Sequence, residues 1–177
     1  MIHIVLYRPE KPANTGNIMR TCVAINAHLH IVGPITFSLD IKDLKRAGLD
    51  YIDDLKLTYY NTYEEFTKSH PNALISYISR YGEKVYSSCD YTDKSQDYYL
   101  MFGRESTGIP HDVLRKHLNR VYRIPMIPGA RSLNLSNCVA LVVYEVLRQQ
   151  NFMDLATTEC IKGMGFLINE ETKKKSS

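Results

Sequence analysis

The sequence predicts an α/β fold in which a mostly parallel sheet is flanked by helices. The first observation is a strand predicted at Ile2 to Tyr7, a helix at about Asn17 to Ala27 and a second strand at Leu29 to Val32. A strand, a helix and a strand in such a short stretch indicate a right-handed parallel unit. The second observation is that the same alternation continues along the chain.

The next elements follow this alternation. A short helix is predicted at Asp40 to Ala47, closed by Gly48, and a strand at Leu55 to Tyr59. A helix at Thr62 to Ser69 and an apolar strand at Ala73 to Ser79 come next.

The carboxyl-terminal half adds two strands, at Tyr98 to Phe102 and Val121 to Pro125, separated by a helix at about Pro110 to Leu118. A long helix is predicted at Leu135 to Gln150. We expect one domain over residues 1–155 and a partly mobile extension over residues 156–177, which ends in the lysine-rich segment Glu170 to Ser177.

Composition limits the class of protein without choosing a function. The chain is 44% hydrophobic and 23% charged, as in ordinary globular domains, and its net charge of +3 suits an RNA partner only weakly. The four cysteines form no CxxC pair, zinc is unsupported by their spacing, and no secretory leader is evident. We therefore expect a cytoplasmic protein without a membrane span, since no apolar run approaches about 18 residues.

Three loops carry residues that can do chemistry. The first, residues 12–21, is a polar, glycine-containing turn that leads from a strand into a helix, where backbone N–H groups can bind anions. Taken alone, an Asn or Thr helix cap with Arg20 as a surface charge is the simpler interpretation. The second, residues 100–110, is an apolar strand that breaks at Gly103 and restarts as a helix after Pro110. It lacks the glycine spacing of dinucleotide and phosphate-loop sites.

The third loop, residues 123–137, combines two prolines and a glycine with Ser132, Asn134, Ser136 and Asn137. The helix that follows it is apolar nearly all round over residues 138–144. Such a helix is predicted to be buried on more than one side, in a core or against another subunit.

Taken together and in this order, the three loops resemble the motifs of the SPOUT RNA methyltransferases. The matching residues are Asn14-x-Gly16-Asn17-Ile18-x-Arg20-Thr21, then Phe102-Gly103-x-Glu105-x-x-Gly108-Ile109-Pro110, then Ile124-Pro125-Met126 through Ser132-Leu133-Asn134-Leu135-Ser136-Asn137. The compact length is most similar to the tRNA (cytidine/uridine) wobble-position 2′-O-methyltransferase family.

This resemblance implies a fold and an assembly that residue patterns alone do not predict. The fold is a parallel sheet whose carboxyl-terminal part forms a deep trefoil knot, which general topology would disfavour. The resemblance also implies a homodimer, in which the first and last helices contribute to the interface. Tyr144 is a candidate interface residue, and a core tyrosine with a satisfied hydroxyl is an equally simple interpretation.

The resemblance further implies that S-adenosylmethionine binds bent in the knot and leaves as S-adenosyl-L-homocysteine, with no metal. Carried over residue by residue, the cofactor contacts are Ile78, Gly103, Ile124, Ser132 and Leu133. Ile78 is followed by Ser79-Arg80-Tyr81-Gly82, which departs from the simpler Thr-Thr-Lys-Gly pattern of the family.

Arg20 and Asn14 are the candidate catalytic residues for methyl transfer to a ribose 2′-oxygen, with Arg20 expected to come from the subunit opposite the cofactor. A guanidinium keeps its proton up to a pKa of about 12, so Arg20 suits phosphate binding and alkoxide stabilisation better than general-base catalysis. Asn14 would orient Arg20 or the ribose. Arg8, Lys11 and Arg131 are candidates for contacts with a tRNA anticodon stem-loop.

The histidines offer an alternative set of bases that we do not favour. His28 and His30 alternate with apolar residues at a strand entry, and His111 and His117 lie on a predicted surface helix. Nothing in the spacing pairs them with a nucleophile or a metal site, so a structural role is expected.

Two other functions remain open at this point. One is methylation of ribosomal RNA ribose, and the other is non-catalytic RNA binding by the same fold. For the wobble-position function, leucine isoacceptors are the expected tRNA subset, by resemblance to the family.

Overall fold

The protein is built on seven strands that pair in parallel. The computed structural model describes residues 1–39 and 52–168, and within them the strand order is β3-β2-β1-β6-β4-β7-β5. The strands are β1 (Ile2–Tyr7), β2 (His28–Val32), β3 (Lys56–Tyr60), β4 (Ile75–Ile78), β5 (Lys84–Val85), β6 (Tyr98–Phe102) and β7 (Val121–Arg123).

Four α-helices are described around this sheet: α1 (Pro12–Ala24), α2 (Tyr63–Ser69), α3 (His111–Arg115) and α4 (Leu135–Gln149). Short 3-10 turns lie at Ile52–Asp54, Tyr86–Ser88 and Leu118–Arg120. The predicted α/β class with a mostly parallel sheet is confirmed. None of the described helices is long and apolar enough to cross a membrane.

The position of α1 corrects the sequence-based prediction. The helix begins at Pro12 and ends at Ala24, whereas the prediction placed it at about Asn17 to Ala27. Proline is well suited to the first helical position because its missing N–H would have no partner there. Asn14 therefore lies inside the first turn, and it is not a helix cap.

Smaller differences concern the carboxyl-terminal half. The strand β7 ends at Arg123, two residues short of the predicted Pro125, which has no N–H to donate to a neighbouring strand. The helix α3 covers only His111–Arg115. The two-residue β5 was missed because it is too short to show a period. The predicted helix at 40–47 and the lysine-rich tail at 170–177 lie outside the described residues.

The core lies on both faces of the two central strands. Along β1, Ile4 and Leu6 pack into the cluster beneath α1 and α4, while Val5 packs into the cluster beneath α2 and α3. Along β6, Leu100 belongs to the first cluster and Met101 to the second. Burial on both faces explains why these strands are continuous apolar runs in the sequence.

One face of α4 is buried and the other is exposed, although the helix is apolar nearly all round. Val139, Val142, Val143 and Val146 are fully buried. On the other side, Leu141 and Tyr144 are 44% and 48% exposed. The core of a single chain therefore covers only one side of α4, and the predicted burial of its other side against another subunit stays a prediction.

Leu100 tests whether β6 is the centre of the core. Leu100→Ala should lower the free energy of unfolding by about 2–5 kcal/mol, because the leucine is completely buried. Leu74→Ala is the matched control, since Leu74 is 47% exposed and its loss should cost about 0.5 kcal/mol or less. Urea unfolding measures both, and equal losses would contradict this description of the core.

Candidate functional site

The carboxyl ends of four neighbouring strands meet at one edge of the sheet. The strands β1, β6, β4 and β7 are adjacent in that order and all run the same way. The loops that follow them are the three motif loops and the Ser79–Gly82 segment. In open α/β sheets this edge is where ligands bind, so the topology brings the separate motifs together.

A cavity of about 590 Å³ opens between these loops. Its volume lies within the range of about 300–1,000 Å³ that is typical of small-molecule sites. It is lined by all five residues predicted to contact the cofactor, namely Ile78, Gly103, Ile124, Ser132 and Leu133.

Gly103 lets the backbone of the second loop fold tightly at the cavity wall. Arg104 and Gly108 exchange two backbone hydrogen bonds, of 3.1 and 2.9 Å, which close the loop between them. A Cβ atom at Gly103 would collide with the backbone of Gly108 and Ile109. Gly108 has a φ of +73°, a conformation that favours glycine. Both glycines are therefore required by the backbone.

The carboxylate of Glu105 connects the second loop to the start of α1. It accepts hydrogen bonds from the backbone N–H of Glu10 at 2.8 Å and of Lys11 at 3.2 Å, and from Asn14 Nδ2 at 2.8 Å. The first turn of α1 contains no acidic residue of its own. Glu105 therefore supplies the negative charge that stabilises this helix amino terminus.

The side chain of Asn14, which binds Glu105, also binds the third loop. Its Oδ1 accepts a hydrogen bond of 2.9 Å from Asn134 Nδ2, and Asn134 Oδ1 accepts from the N–H and hydroxyl of Ser136. Because a carboxylate only accepts, Asn14 must turn its NH₂ group to Glu105, and this fixes the orientation of Asn134 in turn. Asn14, at the centre of this series of hydrogen bonds, is buried, whereas Glu105 is half-buried and Asn134 is exposed.

In a second contact between the first two loops, the carboxylate comes from the first loop and the donors from the second. The carboxylate of Glu10 accepts hydrogen bonds from the N–H and Oγ of Ser106 at 2.9 and 2.8 Å and pairs with the Arg104 guanidinium at 2.7 Å. The Ser106 bonds, together with Arg104, lower the pKa of Glu10. Each of the two loops therefore contributes one glutamate whose carboxylate is bound by groups of the other loop.

The remaining predicted site residues do not all reach the cavity. Asn14 and Lys11 line it. Arg8, Arg20 and Arg131 are not among its lining residues, and Arg20 is exposed on α1. In one chain, the structure does not bring the candidate catalytic arginine to the cavity.

Several lining residues were missed by the sequence analysis, among them Phe102, Tyr81, His111 and Cys138. Burial raises the pKa of the Cys138 thiol, so this residue stays protonated at neutral pH and is not a thiolate nucleophile. Glu10 was also missed. Its position just after β1, where polar residues face the ligand edge, is the signal that could have found it.

With this geometry in place, comparison with known proteins decides the family. The profile of the SpoU rRNA Methylase family matches residues 1–144. The chain belongs to this family. All three motif loops and the complete sheet lie within the matched residues of this SpoU chain.

Relatives of the SpoU chain include proteins named for a tRNA modification. The tRNA (cytidine(34)-2'-O)-methyltransferase of Escherichia coli (strain K12) is 41% identical over 153 residues, which cover 86% of this chain and 96% of that protein. A relative from Listeria monocytogenes, to which the same name is provisionally given, is 52% identical over 150 residues. The match covers 85% of this chain and 89% of that protein.

Solved structures match the SpoU chain over most of its length. A provisionally assigned RNA methyltransferase from Bacillus anthracis has a TM-score of 0.87 and 48% identity, covering 90% of this chain and all 100% of that one. A structure described as giving insights into 2-OH methylation of C/U34 on tRNA has a TM-score of 0.77 and 37% identity, covering 86% and 97%. An AdoMet-bound rRNA methyltransferase from Sinorhizobium meliloti has a TM-score of 0.72 and 26% identity, covering 83% of this chain and 56% of that one.

Glu105→Gln tests the contact that joins the loops. One carboxylate oxygen becomes an NH₂ group that faces N–H donors, so the free energy of unfolding should fall by about 1–3 kcal/mol. Affinity for S-adenosylmethionine should fall as well, because the loops that line the cavity lose their common partner. Urea unfolding and calorimetry measure the two effects.

Glu64→Gln is the matched control, since Glu64 is exposed on α2, away from the cavity. It should leave cofactor affinity unchanged and stability within about 0.5 kcal/mol. Wild-type cofactor affinity in Glu105→Gln would show that the contact does not shape the cavity.

Proposed function

We propose that this SpoU protein transfers a methyl group from S-adenosylmethionine to the ribose 2′-oxygen of the wobble nucleotide, a cytidine or modified uridine, in a tRNA subset. The observation that carries the proposal is the convergence of Ile78, Gly103, Ile124, Ser132 and Leu133 on one cavity at the ligand edge of the sheet. The names of the relatives from Escherichia coli and Listeria monocytogenes support the tRNA substrate. Leucine isoacceptors are the proposed subset.

The cavity has the properties that this cofactor needs. Ile78, Ile124 and Leu133 provide apolar surface, while the absence of a side chain at Gly103 lets the second loop fold tightly against the cavity wall. The AdoMet-bound structure of similar fold supports the choice of ligand. Residues 1–155 form the proposed catalytic domain, with the trefoil knot around the cavity and residues 156–177 as an extension, and the proposed place of action is the cytoplasm.

When bound, S-adenosylmethionine supplies an electrophilic methyl group on a sulfonium. The protein has to orient the ribose in line with that group and ease the loss of the 2′-hydroxyl proton. Orientation alone can lower the barrier by about 7–11 kcal/mol. The rigid hydrogen-bonded loops are suited to this task.

Arg20 is the proposed catalytic residue, and its part is electrostatic. As a permanent cation it holds the target phosphate and stabilises the developing 2′-alkoxide, and it does not accept the proton. Asn14 acts as a positioning residue, because its amide oxygen and NH₂ group already bind Asn134 and Glu105.

A homodimer would bring Arg20 to the reaction. Since Arg20 lies on α1 away from the cavity of its own chain, we propose that it serves the cavity of the partner subunit. The apolar side chains of Leu141 and Tyr144, exposed on α4, are the proposed centre of the interface.

The RNA partner is proposed to be the anticodon stem-loop. Lys11 lies at the cavity wall, and Arg131 is exposed in the third loop. Arg8 follows directly after β1 at the same edge of the sheet. These cations would contact phosphates, while splayed anticodon bases provide the sequence-dependent contacts.

Nucleoside mass spectrometry of RNA from a deletion strain tests the substrate. The proposal expects one 2′-O-methyl mark to vanish from the wobble position of a tRNA subset while ribosomal RNA keeps its marks. Loss of a ribosomal mark would select the alternative of rRNA methylation. Purified protein should also fail to methylate a tRNA that carries 2′-deoxyribose at the wobble position.

Arg20→Ala should lower the rate of methyl transfer by about 10²–10³-fold, the usual effect of removing a group that stabilises a developing oxyanion. Affinity for S-adenosylmethionine should stay close to that of the wild type. Arg115→Ala, which removes an exposed arginine of α3, is the control and should keep the wild-type rate. A parent rate in Arg20→Ala would overturn the assigned role.

Leu141→Glu tests the dimer. A charge at the centre of an apolar interface should shift the protein to monomers, because its desolvation is unfavourable. Leu118→Glu is the control, since Leu118 is 69% exposed on a different surface. Light scattering after size exclusion measures the mass, and a dimeric Leu141→Glu would show that α4 is not the interface.

A further inference from the structure

A group of three histidines lies at the edge of the sheet opposite the cofactor cavity. His3 is near the start of β1, and His28 and His30 are at the start of β2. The parallel register pairs His3 with His28, and His30 follows two residues later on the same face. The sequence does not predict this grouping, because the register that creates it joins residues far apart in the chain.

The three imidazoles are close enough to bind one ion. One ring nitrogen from each histidine lies within 4.8 Å of the others. His3 Nδ1 and His30 Nε2 share a hydrogen bond of 2.9 Å. His28 stacks on His30 with ring centroids 4.2 Å apart and planes 15° apart.

The other nitrogen of each histidine faces an oxygen atom. His28 Nε2 is 2.8 Å from Thr58 Oγ1, and His30 Nδ1 is 3.1 Å from the Tyr60 hydroxyl. His3 Nε2 is 3.7 Å from the Asp97 carboxylate, which also accepts a hydrogen bond from the Met1 amino group. Metal-binding histidines almost always have such oxygen partners on the nitrogen that does not bind the metal.

The histidines are also in the protonation state that metals need. Burial lowers the pKa of His3 to about 4 and of His30 to about 3, and it lowers that of His28 as well. At neutral pH the rings are therefore uncharged and keep a lone pair. The side chain of His3 is only 9% exposed. Its Nε2 atom is buried and has no hydrogen-bond partner within the described residues.

We propose that His3, His28 and His30 bind a borderline transition-metal ion such as Zn²⁺, for which imidazole is a preferred ligand. The ion takes the place of the hydrogen between His3 Nδ1 and His30 Nε2. Tetrahedral Zn–N bonds of about 2.0–2.1 Å need these nitrogens only a few tenths of an ångström further apart. The hydrogen moves to His30 Nδ1, opposite Tyr60, so no net proton is released.

His28 completes the protein ligands. In the tautomer that carries its hydrogen on Nε2 and donates to Thr58, Nδ1 is left for the metal, and the half-buried ring rotates out of its stack on His30. A water molecule takes the fourth position, and the carboxylate of Asp97 offsets part of the positive charge. The ion joins the amino-terminal ends of β1 and β2 and is separate from methyl transfer.

Metal titration of the purified full chain, after treatment with a chelator, tests the proposal. Calorimetry with Zn²⁺ should give one ion per chain, and Co²⁺ should show the intense visible bands of tetrahedral coordination. Thr58→Val keeps all three ligands and should lower affinity by about 10–100-fold. His28→Asn should lower it further, and Zn²⁺ should no longer raise its Tm.

His111→Asn is the matched control, because His111 is exposed at the opposite edge of the sheet. It should bind Zn²⁺ like the wild type and show the same rise in Tm. Absence of one-to-one binding would overturn the proposal, as would unchanged affinity in both Thr58→Val and His28→Asn. Circular dichroism checks the fold of each variant, and Thr58→Val keeps the test valid if His28→Asn does not fold.

Discussion

The carboxylate of Glu105 is the contact on which the rest of the cavity depends. Three donors from the start of α1 point at it, and one of them, Asn14, binds the third loop through Asn134. The loops after β1, β6 and β7 are thereby held by one continuous chain of hydrogen bonds with the buried Asn14 at its centre. This explains physically why three motifs that are far apart in sequence occur together.

Much of the fold was predictable because local patterns determine it. The strands β1 and β6 have the predicted bounds, since both are apolar runs that end in polar loops. The start of α1 has one local signal, the proline at the first helical position, but its other stabilising contact comes from Glu105 in another loop and is not visible locally. The cofactor residues were predicted by resemblance, whereas Glu10 and the histidine group depend on which strands are neighbours.

A parallel sheet gives its two edges different chemistry. At the carboxyl edge, the loops that follow four neighbouring strands come together, and the cavity forms between them. At the amino edge, side chains from neighbouring strands lie side by side, so imidazoles from β1 and β2 meet without any loop. The cavity and the histidine group therefore use different residues of the same sheet.

The fixed direction of the Glu105–Asn14–Asn134 chain has an evolutionary consequence. Each amide can face only one way, so replacing either asparagine by aspartate places an acceptor against an acceptor. Glutamine, the only other amide, keeps the pattern of donors and acceptors but is one methylene longer, so no single substitution in the middle of the chain preserves both the pattern and the spacing. We therefore expect these positions to change together or not at all across homologous sequences, as one inherited unit.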